Sequence, residues 1–244
     1  MTQLSVLGLL LATGLAPVPT TAQIQSNVAA SDSAISAAVE RGAPAVIALR
    51  HQIHQHPELG NREFETSKLV ANRLRSLGLD VQTGIAHTGV IGILKGGQSG
   101  PVVAVRSELD ALQVTEDSPY PFKSTVRTTV NGEDVGVAHA CGHDIHIASI
   151  LGVAGVLASL RQQLPGTVLF IFQPAEEGPP PGEEGGAQLM LKEGVFGRLK
   201  PAAVFGMHTF GTLDVGQIRY SLGAADSALS DFHTCHLTIR VRSA

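Results

Sequence analysis

Nine consecutive positions, AHACGHDIH from Ala138 to His146, hold three histidines, a thiol and an acid. Four chemistries use those residue types at such spacing: a metal site, a thiol nucleophile with its base, half of a disulfide, or a hydrogen-bonded polar loop. Cys141 and His143 are separated only by Gly142, so in an extended segment both side chains point the same way and could converge on one ion, with the glycine allowing a tight turn between them. Asp144 reads either as the cap of the helix that follows or as an acid orienting a histidine ligand. His139 and His146 read as hydrogen-bonded or solvated histidines rather than ligands. Cys141 and Cys235 are the two cysteines of the chain, and one disulfide between them is the competing reading, although a chain of this length needs no staple to hold a core.

Two more groups carry chemistry. Glu176 and Glu177 directly follow an apolar run. Adjacent acids point in different directions, so one can ligate a metal while the other reaches an attacking water as general base. His208 stands in the same place after a second apolar run. A mixed set of S, N and O donors favours Zn²⁺ or a similar divalent transition ion over Ca²⁺ or Mg²⁺. A site with two ions needs shared ligands, and four protein groups are a lean supply for it.

The elements that must position these groups follow from apolar periodicity. Leu79 to Gln82, Val90 to Leu94, Pro101 to Val105, Thr167 to Phe172 and Ala202 to Phe205 read as strands, the later ones continuously apolar, as strands covered on both faces tend to be. Helices are predicted from Ile35 to His54, interrupted near Gly42 and Pro44; from Glu63 to Leu77, with Phe64, Leu69, Val70, Leu74 and Leu77 on its apolar side; from Ile147 to Leu160; and from Gln188 to Glu193. Alternating strands and helices imply βαβ units and an α/β fold with a largely parallel sheet flanked by helices. Three of the strands run into RSELD, QPAEE and GMH, which puts acids and a histidine at their carboxyl ends, where open α/β sheets bind ligands. Gly178 to Gly186, GPPPGEEGG, is predicted to be a surface loop.

The formal net charge is -4 and the basic residues are scattered, which leaves no electrostatic footprint for nucleic acid or anionic lipid and suits a small substrate. The 27 glycines and few aromatics fit a turn-rich α/β protein. Leu4 to Ala16 is an uncharged apolar run followed by PVP and TTAQ. It reads as a secretion signal over residues 1–22, cleaved after Ala22 and followed by a flexible linker over 23–34. The expectation is an exported protein, periplasmic or extracellular, with no membrane segment once the signal is gone.

Five stretches, LRHQIHQHPELGNREFETSKLVANRLRSLGLDV, RSELDAL, HACGHDIHIAS, FIFQPAEEG and VFGMH, occur in this order. Together they resemble the metal-dependent amidohydrolases and carboxypeptidases that include hippurate hydrolase, N-acyl-amino-acid deacylases and hydrolases of indole-acetyl amino acid conjugates. The likeness covers about Val46 to Ala225. It implies that Cys141, His143, Glu177 and His208 are ligands to two divalent ions (Zn, Mn, Co or Ni), that Glu176 is the general base, and that the substrate is an N-acyl amino acid or small peptide. It also implies a Zn-exopeptidase-like catalytic domain over 35–214, with 215–244 as the start of a smaller α+β lid that mediates dimerisation in the family. Relative to the family pattern, Glu108 stands where an aspartate is usual and Gln113 where a proline is usual. The chain also reads as truncated at its C-terminus, without the family's last histidine ligand. A metal-binding fragment without turnover and a cysteine-nucleophile hydrolase are the alternative readings.

Overall fold

The computed structural model describes residues 21–219 and 239–240, and side chains from residue 32 to 219. The expected signal lies almost wholly outside the described residues, as do Cys235 and most of the expected lid. Two units are distinguished, Met1–Arg41 and Gly42–Ala244. Among the described residues the first contains only the beginning of α1 (Thr21–Gln55). This helix corrects two expectations. It occupies the segment expected to be a flexible linker, and it runs through Pro44 without a break, although an interior proline forfeits one i→i−4 hydrogen bond.

The second unit is built on a five-stranded sheet in the order β1-β2-β6-β3-β7. β1 (Asp80–Ile85) and β2 (Gly89–Lys95) form a hairpin whose turn places Ala86 and His87 at φ 48° and 77°, the left-handed pair that matches the twist of antiparallel strands. β2 is also antiparallel to β6 (Pro165–Gln173). β3 (Gln98–Glu108) lies parallel between β6 and β7 (Ala203–Gly206). The sheet is therefore mixed: parallel where helices α3 (His143–Ser159) and α4 (Gly186–Lys192) make the crossovers, and antiparallel between β1 and β2, which a tight turn joins, and between β2 and β6. Between β3 and α3 a second hairpin, β4 (Arg127–Val130) and β5 (Glu133–Gly136), turns at Asn131 and Gly132. β8 (Gln217–Ile218) pairs with β9 (Ile239–Arg240).

β6 occupies the middle of the sheet and explains its own sequence. Val168, Phe170 and Phe172 face one side, with α2 (Phe64–Ser76) residues Val70 and Leu74 and α3 residues Ile147 and Leu151; Leu169 and Ile171 face the other, with Leu189 and Met190 of α4. A strand covered on both faces has no polar side to show, hence the continuous apolar run. The same expectation fails for β7, an edge strand whose four residues are all exposed, Val204 by 55% and Phe205 by 59%. Phe64 also departs from its expected place on the apolar side of α2, because it opens the helix and points outward, 61% exposed.

Because β3, β6 and β7 are parallel, Glu108, Gln173 and Gly206 end at one edge of the sheet, and α3 begins there. Short pairings bind the five sequence stretches together at that edge. Leu59 bridges Ala111, and Leu112 bridges Ala138, so the LDAL segment is held between the HPEL turn and the AHAC strand. Thr209 N–H donates to His146 Nε2 at 2.9 Å, joining the segment after β7 to α3.

Candidate metal centre

Cys141 and His143 converge by a different route from the extended alternation expected. Gly142 is in the left-handed region, φ 84°, and His143 is already the first residue of α3. The turn needs glycine twice over, since a Cβ there would also collide with Thr209 Oγ1. Nor does Asp144 cap the helix. Its Oδ2 accepts from Arg50 Nε at 2.8 Å and meets His54 Nδ1 at 2.9 Å.

His143 is the centre of the arrangement. It is 1% exposed, and its Nδ1 donates to the Asp110 carbonyl oxygen at 2.7 Å. That bond leaves Nε2 as the nitrogen with a free lone pair, and Nε2 has no hydrogen-bond partner although it is buried. Facing it are Glu176 Oε2 at 3.6 Å and Glu177 Oε1 at 3.8 Å. The two adjacent acids therefore do not diverge. Ala175, at φ 45°, bends the chain before them so that both approach one ring. On the other side Cys141 Sγ lies 3.4 Å from His208 Nε2, while His208 Nδ1 donates to Thr209 O at 2.7 Å and so keeps its Nε2 lone pair on the thiol. Ligand atoms of Cys141, His143 and His208 all fall within 4.8 Å of one another, and so do those of His143, Glu176 and Glu177. Donors about 3.3–3.8 Å apart are what tetrahedral coordination at Zn–N, Zn–O and Zn–S bond lengths requires. The donor set and the orphaned Nε2 fit a divalent ion at His143, which has this one lone pair to give, and the thiol, the second imidazole and the paired carboxylates offer donors for a second.

The surrounding charges point the same way. Burial alone would lower the pKa of His143, but its bond to Asp110 and the charges of Glu108 and Asp110 outweigh this and raise it, so a positive charge is drawn to Nε2. Burial pushes the Cys141 thiol up to about 12, helped by Glu177 and Glu176. A cysteine nucleophile needs the opposite shift, so the thiol is suited to a cation as counter-charge rather than to attack on substrate. Among the described residues Cys141 has no disulfide partner.

Residues 104–243, more than half of the chain, match the model of the peptidase family M20/M25/M40. The chain belongs to this family. Among curated proteins it is 43% identical over 164 residues to thermostable carboxypeptidase 2 of Saccharolobus solfataricus, an overlap of 67% of this chain and 38% of the relative. It is 42% identical over 160 residues to the hippurate hydrolase of Campylobacter jejuni, covering 66% and 38%. Among solved structures it is similar to a dinuclear metal-binding M20 peptidase of Bacillus subtilis, with TM-score 0.61 and 40% identity over 74% of this chain and 46% of that one. The chain thus spans less than half the length of these relatives.

All five residues that the M20 resemblance singles out come together: Cys141, His143, Glu176, Glu177 and His208. Four supporting groups were not foreseen. Asp110, 0% exposed, accepts the Glu177 N–H on Oδ2 at 2.8 Å as well as holding His143 through its carbonyl. Glu63 is equally buried; it accepts from Ala175 N–H at 2.8 Å and Thr88 Oγ1 at 2.6 Å, and burial raises its pKa. Gly60 lies so close that a Cβ would meet Gly178 O at 2.8 Å, so the PELGNRE turn braces the glutamate loop from below. Glu108, longer than the usual M20 aspartate, is accommodated by His146 Nδ1 at 2.9 Å and by Arg106. Burial alone would raise its pKa; those partners outweigh burial and lower it. His146 is hydrogen-bonded through both ring nitrogens, to Glu108 and to Thr209 N–H. Position in the motif could have revealed Asp110, whereas Glu63 reads in sequence only as an acid before a helix.

His139 is buried, and neither ring nitrogen has a partner. Burial holds its pKa down at about 4, against an ordinary 6.5. As pH falls from about 6.5 towards 4 the unfolded chain takes up a proton here that the folded chain refuses, so stability present above pH 6.5 is lost across that window, by up to about 3 kcal/mol. Urea unfolding of the chain and of His139→Phe at pH 7, 6, 5 and 4 should show a shallower pH dependence in the variant. Equal slopes would refute this account of His139.

Proposed function

We propose that this site belongs to a hydrolase that cleaves the amide bond of N-acyl amino acids or small peptides, using two divalent ions and Glu176 as general base. The observation that carries the reading is the buried, unpartnered His143 Nε2 facing two carboxylates, with the opposite nitrogen committed to Asp110 O. Cys141, His143, Glu177 and His208 would hold the ions. When bound, such ions lower the pKa of water and polarise a carbonyl oxygen. Glu176, 35% exposed and steered by Arg106 Nη2 at 3.6 Å from its Oε1, is free to take the proton of the attacking water and return it to the leaving amine nitrogen. Glu177 is held differently, through its backbone by Asp110, which suits the fixed geometry of a ligand. The names of relatives, a carboxypeptidase and a hippurate hydrolase among them, support amide substrates with a free carboxylate.

The test is hydrolysis of N-benzoylglycine by the purified chain, with elemental analysis of the same sample. Turnover abolished by a chelator and restored by Zn²⁺ or Mn²⁺ is the expected result. Absence of bound metal, or turnover that is blocked by thiol alkylation and indifferent to chelation, would overturn the reading.

We also propose export, on the apolar run Leu4–Ala16 and the small residues that follow it. Among the described residues no helix is long and apolar enough to cross a membrane. The N-terminal sequence of the exported protein should begin at Gln23; recovery of protein with Met1 intact would refute cleavage.

A further inference from the structure

Four consecutive residues of the turn before α2, Gly60 to Glu63, lie against the loop that carries the paired acids. Glu63 and Gly60 meet the start of that loop, at Ala175 and Gly178. Asn61 and Arg62 meet its far limb, beyond the prolines at 179–181. Asn61 Nδ2 donates to Glu183 Oε2 and to the Glu184 carbonyl oxygen, both at 3.0 Å. Arg62 grips the same carboxylate with both arms of its fork, Nη1 to Oε2 at 3.1 Å and Nη2 to Oε1 at 2.5 Å, a bidentate geometry that fixes direction as well as distance. Arg62, and after it Asn61, hold the Glu183 carboxyl down at about 2, so the grip stays charged at any pH at which a histidine can bind metal.

Asn61 sits at the neck of the loop. It is buried, and its φ of 58° is a left-handed conformation that asparagine tolerates better than most side chains. A Cβ on Gly185 would lie 2.8 Å from Asn61 Oδ1, 3.0 Å from Pro179 Cβ and 3.3 Å from Ala175 Cβ, so the two limbs close on each other with the amide wedged between them. Exchanging the amide nitrogen and oxygen would set an acceptor against a carboxylate and a carbonyl. Nδ2 therefore faces the far limb, and Oδ1, buried and without a partner among the described residues, is what that orientation leaves over. Three successive prolines stiffen the span from the acids to Glu183. A shift of the far limb is thus passed back to Ala175, whose strained φ of 45° is what turns both acids towards His143.

We infer that Asn61, Arg62 and Glu183 form a clasp that positions Glu176 and Glu177 against His143 Nε2 by pinning the far limb of their loop. The inference rests on the amide-hydrolase reading above and adds what keeps the general base and its neighbouring ligand in place. These are positioning residues: they bond to the loop and to each other, and reach the acids only through the backbone. The ion pair between Glu184 and Lys192 of α4 is exposed on both sides and contributes little, which makes it the natural control.

Glu183→Ala, on the exposed loop, and Asn61→Gly, which keeps the left-handed backbone, test the clasp in the full zinc-supplemented chain. In each, hydrogen exchange at the Ala175 and Glu177 amides should accelerate by about tenfold or more while the amides of β6 stay unchanged. The Kd for zinc should rise by about tenfold. At saturating zinc, kcat for N-benzoylglycine should fall about 10–100-fold with KM within about twofold of the parent chain, the mark of misplaced groups rather than lost substrate binding. The double variant should be no worse than the more impaired single one, because both substitutions open one clasp. Glu183→Gln, which still accepts from Asn61 and Arg62, should keep most of the turnover, and Lys192→Met should match the parent throughout. Glu183→Ala carries the test if Asn61→Gly does not fold. Unchanged exchange at Ala175 and Glu177 in folded Glu183→Ala, or effects that add in the double variant, would overturn the clasp. A parent chain that binds zinc but cleaves no amide would refute the hydrolase reading, and the exchange and zinc shifts would then decide the clasp alone.

Discussion

Glu176→Gln is expected to cut turnover by about 10²–10⁴-fold while leaving metal content unchanged within error, the loss typical of removing a positioned general base. Glutamine keeps the size of the side chain and its ability to accept a hydrogen bond from Arg106, but its amide cannot hold a proton. The experiment discriminates because distance alone does not: Glu176 Oε2 and Glu177 Oε1 lie 3.6 and 3.8 Å from His143 Nε2. What separates them is anchorage. Glu177 hangs on a backbone segment fixed by Asp110, whereas Glu176 is held only through its side chain. A large loss of metal in Glu176→Gln, with little loss in Glu177→Gln, would mean that the roles are exchanged.

His143→Ala and Cys141→Ala should each weaken metal binding. His143 has one lone pair to give, on Nε2, because Nδ1 is committed to Asp110 O, so it can hold a single ion, whereas a thiolate keeps further lone pairs. Altering outer-shell partners typically costs about 10–100-fold in metal affinity, so loss of a direct ligand should exceed about 100-fold at the affected ion. Cobalt substitution provides the reading: in Cys141→Ala the thiolate-to-cobalt absorption should vanish, and in His143→Ala at least one equivalent of cobalt should be lost. His143→Ala also deletes a buried ring bonded to Asp110 O, so circular dichroism must show a folded chain before the result is read. Two equivalents retained by folded His143→Ala would sink the assignment of His143 as a ligand.

Local pattern carries far into this fold. Apolar runs mark β2, β3, β6 and β7, and helical spacing marks α2, α3 and α4, because burial against a sheet imposes the period of each element on its sequence. The β4–β5 hairpin was also within reach, since Asn131-Gly132 supplies the two left-handed residues such a turn demands. Other features were not legible. Whether an apolar strand is central or at an edge depends on its neighbours, so β6 and β7 look alike in sequence and differ in exposure. α1 passes through Pro44 and through the small polar residues before it, against local propensity, and the structure offers no physical account of that persistence.

At the site, the sequence by itself determined the chemical inventory: thiol, imidazoles and paired acids, in an order that marks the family, at strand ends that a parallel arrangement brings to one edge. Only the tertiary structure decided how the inventory is divided. It put His143 between the thiol and the paired acids, committed its Nδ1 to Asp110 and left Nε2 bare; it gave His146 to Glu108 and Thr209; it turned Asp144 from a helix cap into the anchor of Arg50 and His54; and it revealed Glu63 as the brace of the glutamate loop. The reason is that ligand competence depends on which lone pair is unclaimed and which groups are shut off from water, and contacts between residues far apart in the chain set both.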